Sequence, residues 1–508
     1  MFRLFATLRL CFYTILIALL YADSVAALPL ESLQVPVRAK TSDGALDRYP
    51  PHELLRESFD RPLGPGSSTL FPLAQTQHSS STTASTPTSL RNLNTTATST
   101  TRSHTPSSTS LPQAPASIDA HPLHLSIINS LLSEKLTGRQ GSATFHAYIT
   151  GRDRDGKVVL VGVDGSFFYL STTSDTPQPV TADVAYAITQ HKTTIKIPDY
   201  LSSGRIWFSE GLLEFAEVST VNGPGLVTPT SVNPNDASHD VRWGFCELTW
   251  ISDGLWANPS AVDFVGLPVG LKLERLSGDT HTSLGLPKNA ARKVCHALKR
   301  QALRDAQPWG DLCQYDASGA LIRVNSPASV IASNATMLSS YWTNYVDAVW
   351  SKYSSQALTI TPQNGLPDVE CRVNANVLTC QGDSRTYAKP IATDIFGCAS
   401  GPFSVLATDN NIHAAVVPRL CAAFNRATLL LEAGHIQPSL EVLPDAYYSA
   451  QPNNWYSRII HRLESNGTGY AFSYDDVAPS YQYDTSGLLV ASDPKLLEVT
   501  VGGFVPNE

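Results

Sequence analysis

Two acidic residues stand out because their neighbours are apolar. Glu247 lies in WGFCELTW (243–250) and Asp263 in AVDFV (261–265). A carboxylate within an apolar strand costs desolvation energy unless it faces a cleft or finds a partner. Strand alternation puts Trp243, Phe245, Glu247 and Thr249 on one face, and Gly244, Cys246, Leu248 and Trp250 on the other. Ala261, Asp263 and Val265 likewise share a face. If the two strands are antiparallel neighbours joined by a loop over 251–260, position 247 lies near position 263 on the same face. Two carboxyls facing one cleft is the arrangement that acid/base hydrolysis of a glycoside needs. The same spacing also fits two half-buried acids held by hydrogen bonds alone.

Other chemistry finds less support. The chain has no G-x-S-x-G elbow, no P-loop and no G-x-G-x-x-G after a strand. HELLR (52–56) begins like a zincin motif but lacks the second histidine, and there is no C-x-x-C. No metal or organic cofactor is therefore expected. Asp164-Gly165-Ser166 is half of an aspartic-protease dyad, but its partner would have to be Asp484-Thr485-Ser486-Gly487, which carries an extra residue. Asp-Gly is also an ordinary hairpin turn. Asp475-Asp476 is a second acidic pair, ranked below the first because neighbours on an extended segment point apart.

The elements that must position these groups are mostly short strands. The 508 residues include 34 Pro and 31 Gly, frequent punctuation that argues against a helical bundle. With 36 Lys+Arg against 44 Asp+Glu the net charge is −8, which excludes a basic nucleic-acid-binding surface as the default. At 42% hydrophobic the chain can bury a core. Arg3 and Arg9, the apolar run 10–20 and Val25-Ala26-Ala27 form a leader over 1–27. The run is too short for a comfortable membrane span, so the mature protein is expected to be secreted, with no stable membrane insertion. Residues 28–139 are expected to be a disordered Ser/Thr/Pro-rich stalk, with 22 Ser or Thr in 71–110. Asn94, Asn334 and Asn466 begin glycosylation sequons.

From about 140 the texture becomes that of hairpins, with turn signals at Gly151, Asp155-Gly156 and Asp164-Gly165. GRIWFSEG (204–211) and AVDFVGLPVGLKL (261–273) read as strands. Two helices interrupt. Residues 288–305 place Ala291, Val294, Cys295, Leu298, Ala302 and Leu303 near one face, and 339–353 place Trp342, Tyr345, Val346 and Val349 likewise, with Trp350 and Tyr353 beside them. After 391 short strands and turns resume. The expected fold class is mainly β: a β domain over 140–284 and 391–508, with a mixed α/β domain inserted over 285–390. Of 8 cysteines Cys11 lies in the leader, and the odd remainder leaves one thiol unpaired in an oxidising compartment.

GRIWFSEG, ELTW and VDFVGLPVGL resemble the thaumatin-like β-sandwich. Longer strings are more specific: WGFCELTW, VDFVGLPVGL, DIFGCASGPF (394–403), VPRLCAAFNRATLL (417–430), YSRIIHRLESNGTGYAFSYDDVAP (456–479) and TVGG (500–503). In consistent order over 143–503, these resemble glycoside hydrolase family sixty-four, the laminaripentaose-producing β-1,3-glucanases. The resemblance implies an inverting hydrolase of β-1,3-glucan, endo-acting or processive, with a wide groove between the sandwich and the mixed domain. It implies Glu247 as general acid, Asp263 as general base, and Thr249 and Trp256 as sugar contacts, Trp256 stacking on a glucose ring from a loop. Ile251 stands where a polar groove residue is common, and Ser260 replaces a threonine. The chemistry needs a proton on Glu247 and an ionised Asp263. Cys371 and Cys380 bracket a short hairpin, Cys295 and Cys313 flank the end of the first helix, and Cys398 and Cys421 sit in adjacent family motifs. They are paired in that way, although six cysteines allow 15 connectivities, and Cys246 is left as a buried thiol. The expected partner is β-1,3-glucan, taken by a monomer. The alternative is a non-catalytic thaumatin-like wall protein that binds glucan and is presented on its stalk.

Overall fold

The computed structural model describes residues 121–131, 145–221, 223–362 and 366–505. The leader, the Ser/Thr-rich stretch and Asn94 lie outside the described residues. Among the described residues no helix is long and apolar enough to cross a membrane.

Two sheets face each other. One has the strand order Thr280–Ser283, Val269–Arg275, Pro494–Val501, Leu123–Asn129 and Lys192–Ile197. The other runs Leu489–Ala491, Gly254–Pro259, Arg242–Ile251, Leu201–Glu210, His146–Arg152, Val158–Val161 and Phe167–Tyr169, with Tyr186–Ala187 added beside His146–Arg152. Inward residues of both sheets share one core that includes Leu125, Ile127, Ile206, Phe208, Cys246, Leu248, Leu271 and Val499. Cys246 is thus a fully buried free thiol, as expected. The opposite face of the Arg242–Ile251 strand buries Trp243 and Phe245 in a second cluster with Tyr148, Trp207 and Phe264. The expected alternation therefore holds, with apolar packing on both faces at that end of the strand.

The hairpin turns at Asp155-Gly156 and Asp164-Gly165 form, with both glycines at positive φ. Gly151 is no turn: it lies inside a strand, where a Cβ would meet the Leu201 side chain at 2.6 Å. Leu123–Asn129 is also a strand, paired with both Pro494–Val501 and Lys192–Ile197, although it lies in the stretch expected to be disordered. Its alternation of Leu123, Leu125 and Ile127 supplies the buried face.

The helical region has one further core, which runs from Ala261 to Val477. The two expected helices form at Ala290–Asp305 and Thr343–Ser355. Val294, Cys295 and Leu298 are buried, but Leu303 is exposed and Gln301 takes the inward position, donating to Asp305. Beyond 391 the chain does not return to strands and turns at once. Ala392–Gly397, Asn411–Asn425 and Trp455–Leu463 are helices, and their buried side chains belong to the same core. The chain rejoins the sandwich only at Leu489–Ala491. The three expected disulfides, Cys295–Cys313, Cys371–Cys380 and Cys398–Cys421, all form, the second across the paired strands Val369–Asn374 and Val377–Cys380.

Candidate active site

Glu247 sits at the centre of three paired strands, opposite Arg205 on one side and Asn258 on the other. Directly opposed residues project to the same face of a sheet. One row across the sheet is therefore Thr150, Arg205, Glu247 and Asn258. Two residues along, Thr249 faces Trp256, which in turn faces Val490. Residues 251–260 are thus not a connecting loop. Gly254–Pro259 is a strand, and the turn is a tight one at Ser252-Asp253. Trp256 is a half-exposed strand residue on the Glu247 face.

Asp263 does not come from a strand paired with that of Glu247. Its backbone enters the site by a close crossing. A Cβ on Gly244 would lie 2.3 Å from the Leu267 carbonyl oxygen, and one on Gly266 would lie 2.0 Å from that of Trp243. The Leu267 amide donates to the Trp243 carbonyl at 3.0 Å across this crossing. On the far side, the Ser326 amide and Ser329 hydroxyl both donate to the Asp263 carbonyl at 2.9 Å. The Tyr456 hydroxyl holds the Ala261 carbonyl at 2.6 Å. Asp263 is clamped between the sandwich and the helical region.

One guanidinium joins the two acids. Arg205 donates to Glu247 Oε1 from Nε at 3.2 Å and Nη2 at 3.0 Å, and its Nη1 lies 3.3 Å from Asp263 Oδ2. The guanidinium carbon lies 4.3 Å from the Phe245 ring centroid, so the fork is stacked as well as paired. Burial pushes the Asp263 carboxyl above its ordinary range; the Arg205 cation opposes this and the Glu247 charge adds to it.

A second acidic group lies alongside. The Tyr470 hydroxyl donates to Asp476 Oδ1 at 3.2 Å, and the Tyr470 carbonyl accepts from the Ala261 amide at 2.8 Å. Burial and the nearby Asp484 push Asp476 up to about 6. Asp475 turns the other way, fully buried between Arg426 at 3.0 Å and His461 at 2.8 Å. The neighbouring acids do point apart, and only Asp476 is half-exposed. Behind the site, Glu464 lines a cavity of about 20 Å³ with Phe245, Ser260, Ala261 and Phe264. Its Oε2 has no hydrogen-bond partner, and burial pushes the group up to about 8.

The structure thus brings Glu247, Asp263, Thr249 and Trp256 to one region. Thr249 is buried, with its hydroxyl lacking a hydrogen-bond partner. Asp164 is apart from them, bonded to Ser166 in its own exposed turn. Asn334 and Asn466 are both exposed. Sequence reasoning missed Arg205, Asn258 and Tyr470. Alternation within GRIWFSEG was the available signal for Arg205, since it leaves one cation on the face of Trp207 and Ser209.

The chain has relatives of known class. The family model described as Beta-1,3-glucanase, glycoside hydrolase family sixty-four, matches residues 130–501. The chain belongs to this family. A glucan endo-1,3-beta-glucosidase of Cellulosimicrobium cellulans is 26% identical over 294 residues, 56% of this chain and 50% of that protein. One from Arthrobacter sp. (strain YCWD3) matches equally. The chain spans about half the length of these curated relatives. The crystal structure of a laminaripentaose-producing β-1,3-glucanase in complex with laminaritetraose is 27% identical, with a TM-score of 0.64, covering 75% of this chain and 98% of that one. A β-1,3-glucanase domain from Clostridium beijerinckii shares the fold at 23% identity and a TM-score of 0.59, with 75% and 98% covered.

Proposed function

We propose that this chain is a secreted glycoside hydrolase that cleaves internal β-1,3-glucan linkages with inversion, releasing short oligosaccharides. The observation that carries the reading is Arg205 spanning Glu247 and Asp263 on a half-exposed sheet face. Glu247 accepts from two nitrogens of that guanidinium and Asp263 lies beside the third, so one cation holds both carboxylates at the same site. An inverting pair needs room for water, about 6.5–9.5 Å between carboxyls, against about 5–5.5 Å for a retaining pair. Glu247 gives its proton to the glycosidic oxygen. Asp263 takes one from the water that attacks the anomeric carbon from the opposite face, and the C–O bond to the leaving sugar breaks. Trp256 offers a ring face to a glucose unit, and the buried Thr249 stands opposite it on the neighbouring strand. Export is supported by the leader pattern and by three disulfides, which persist in oxidising compartments.

The test is incubation of the purified protein with laminarin and curdlan. Short β-1,3-oligosaccharides are expected, and proton NMR in the first minutes should show the α-anomer at the new reducing end. Glucan binding without release of sugar would instead identify a non-catalytic wall protein. A β-anomer appearing first would recast Asp263 as a nucleophile.

A further inference from the structure

The cations of this acidic protein are unevenly placed. Helix Ala290–Asp305 exposes Arg292, Lys293, Lys299, Arg300 and Arg304, while its buried positions are Ala290, Val294, Cys295, Leu298 and Gln301. At a rise of about 1.5 Å per residue, the stretch from 292 to 304 extends about 18 Å. Its only acid, Asp305, is turned onto Gln301 and the Trp309 indole at 2.9 and 3.0 Å. Helix Trp455–Leu463 packs beside it. The Ser465 amide, just past that helix, donates to the Gly285 carbonyl, just before the first. The second helix adds Arg458 and Arg462, one turn apart, and Arg458 lies 4.5 Å over the Trp455 ring. Burial and the Arg462 charge push Arg458 down to about 10. Among the described residues, Arg292, Lys293, Arg304, Arg458 and Arg462 form no ion pair with a carboxylate.

We propose that these two helices form a docking surface for an acidic polysaccharide, a polyuronate in chemical class, separate from the groove that takes neutral glucan. Charge complementarity carries the assignment: five exposed cations along one helix, at 292/293, 299/300 and 304, with two more on its neighbour, match a polymer with a carboxylate on each sugar. An anionic membrane fits less well, because the exposed strip offers Leu303 but no broad apolar face to insert. Nucleic acid fits less well because the leader pattern and three disulfides belong to an exported protein, which meets polysaccharide in the matrix of its substrate. The consequence is retention of the protein in a mixed matrix beside its substrate. That role rests on the glucanase reading; the binding itself does not.

The experiment measures binding of the full secreted chain to polygalacturonate, with its fully methyl-esterified form as the uncharged control. Binding to the acid form alone, weakening as salt rises, is expected. Arg292→Gln/Lys293→Gln/Arg304→Gln should weaken it at least about tenfold, and Arg292→Glu/Lys293→Glu/Arg304→Glu further. Turnover of soluble laminarin and the melting temperature should stay at native values. Equal binding by the native and neutralised proteins would overturn the proposal. So would equal binding to the methyl ester, or tighter binding to phosphatidylserine vesicles or DNA through the same residues. Laminarin turnover, read in the same samples, reports separately on the glucanase reading.

Discussion

Replacing Arg205 with Met removes the charge shared by the two acids while keeping an apolar stem against Phe245 and Trp207. Glu247 and Asp263 then face each other without a counter-ion. The guanidinium nitrogens lie 3.0 and 3.3 Å from the two carboxylates, whose side chains are 22% and 27% exposed. At an effective dielectric near 20, a unit charge about 4 Å away is worth about 4 kcal/mol. Solvent at this partly open site screens much of that, and a carboxylate beside an arginine typically shifts by about 1–3 units. A rise of about one unit in the Asp263 pKa is the working expectation. Asp263 must be ionised to act as base, so activity falls as pH drops through its pKa. The acid limb of kcat/KM should therefore move about one unit to higher pH in Arg205→Met. Arg205→Lys, which keeps the charge but loses the fork, should return the limb toward its native position without restoring the full rate. The assay is laminarin hydrolysis from pH 3 to 9 at fixed ionic strength. An unmoved acid limb with a lowered rate would mean that Arg205 only shapes the site, and a shift to lower pH would refute the electrostatic reasoning.

Glu247→Gln and Asp263→Asn should each lower kcat on curdlan at least about a hundredfold with unchanged melting, since each removes one proton-transfer role; near-native activity in either would remove that residue from the mechanism. Trp256→Ala should raise KM for laminarin about tenfold, the loss of one stacking contact of roughly 1–1.5 kcal/mol, with a smaller effect on kcat. Glu464 in the fold titrates near 8, above its unfolded value of about 4.3. Its contribution to stability is therefore complete below pH 4 and is lost as pH rises to 8. Glu464→Gln should melt like the native protein at pH 4 and above it at pH 8.5, whereas parallel melting curves would show that Glu464 ionises freely.

The acids were legible because a carboxylate in an apolar strand is anomalous on composition alone. Their meeting was legible only in outline. Residues 251–260 read as a loop, yet Gly254, at φ 144°, starts a strand and Pro259 ends it opposite Cys246. Asn258 faces Glu247 across the ladder instead of turning the chain. Asp263 approaches because Phe264–Val265 pairs with Leu321–Asn325, far along the chain. No local period encodes that pairing. The glycines of VGLPVGL carried a trace of it, since Gly266 marks where two backbones nearly touch. The helices after 391 were hidden for another reason. Asn411–Asn425 is buried over most of its circumference, so it lacks the polar stripe that announces a helix, and Pro418 interrupts the pattern.

The proposed division of labour between Glu247 and Asp263 runs against the simplest electrostatic expectation. A base should ionise readily, yet burial raises Asp263, and only the Arg205 guanidinium is seen to draw it back. The geometry gives this a use. A weakly buried aspartate would be a poor base, because proton affinity falls with pKa; a deeply buried one without a cation would hold its proton at working pH. Arg205 opposes the rise that burial causes at Asp263, and it does so by the same fork that fixes Glu247. The neighbouring Asp476, titrating near 6, and Asp484 add further acceptor oxygens on this side of the fold. A region rich in carboxylates suits a neutral polymer whose hydroxyls donate hydrogen bonds and repels an acidic one. On the proposed reading, neutral glucan takes the sheet face and an acidic polysaccharide the cationic helices, so the two surfaces would not compete for one ligand.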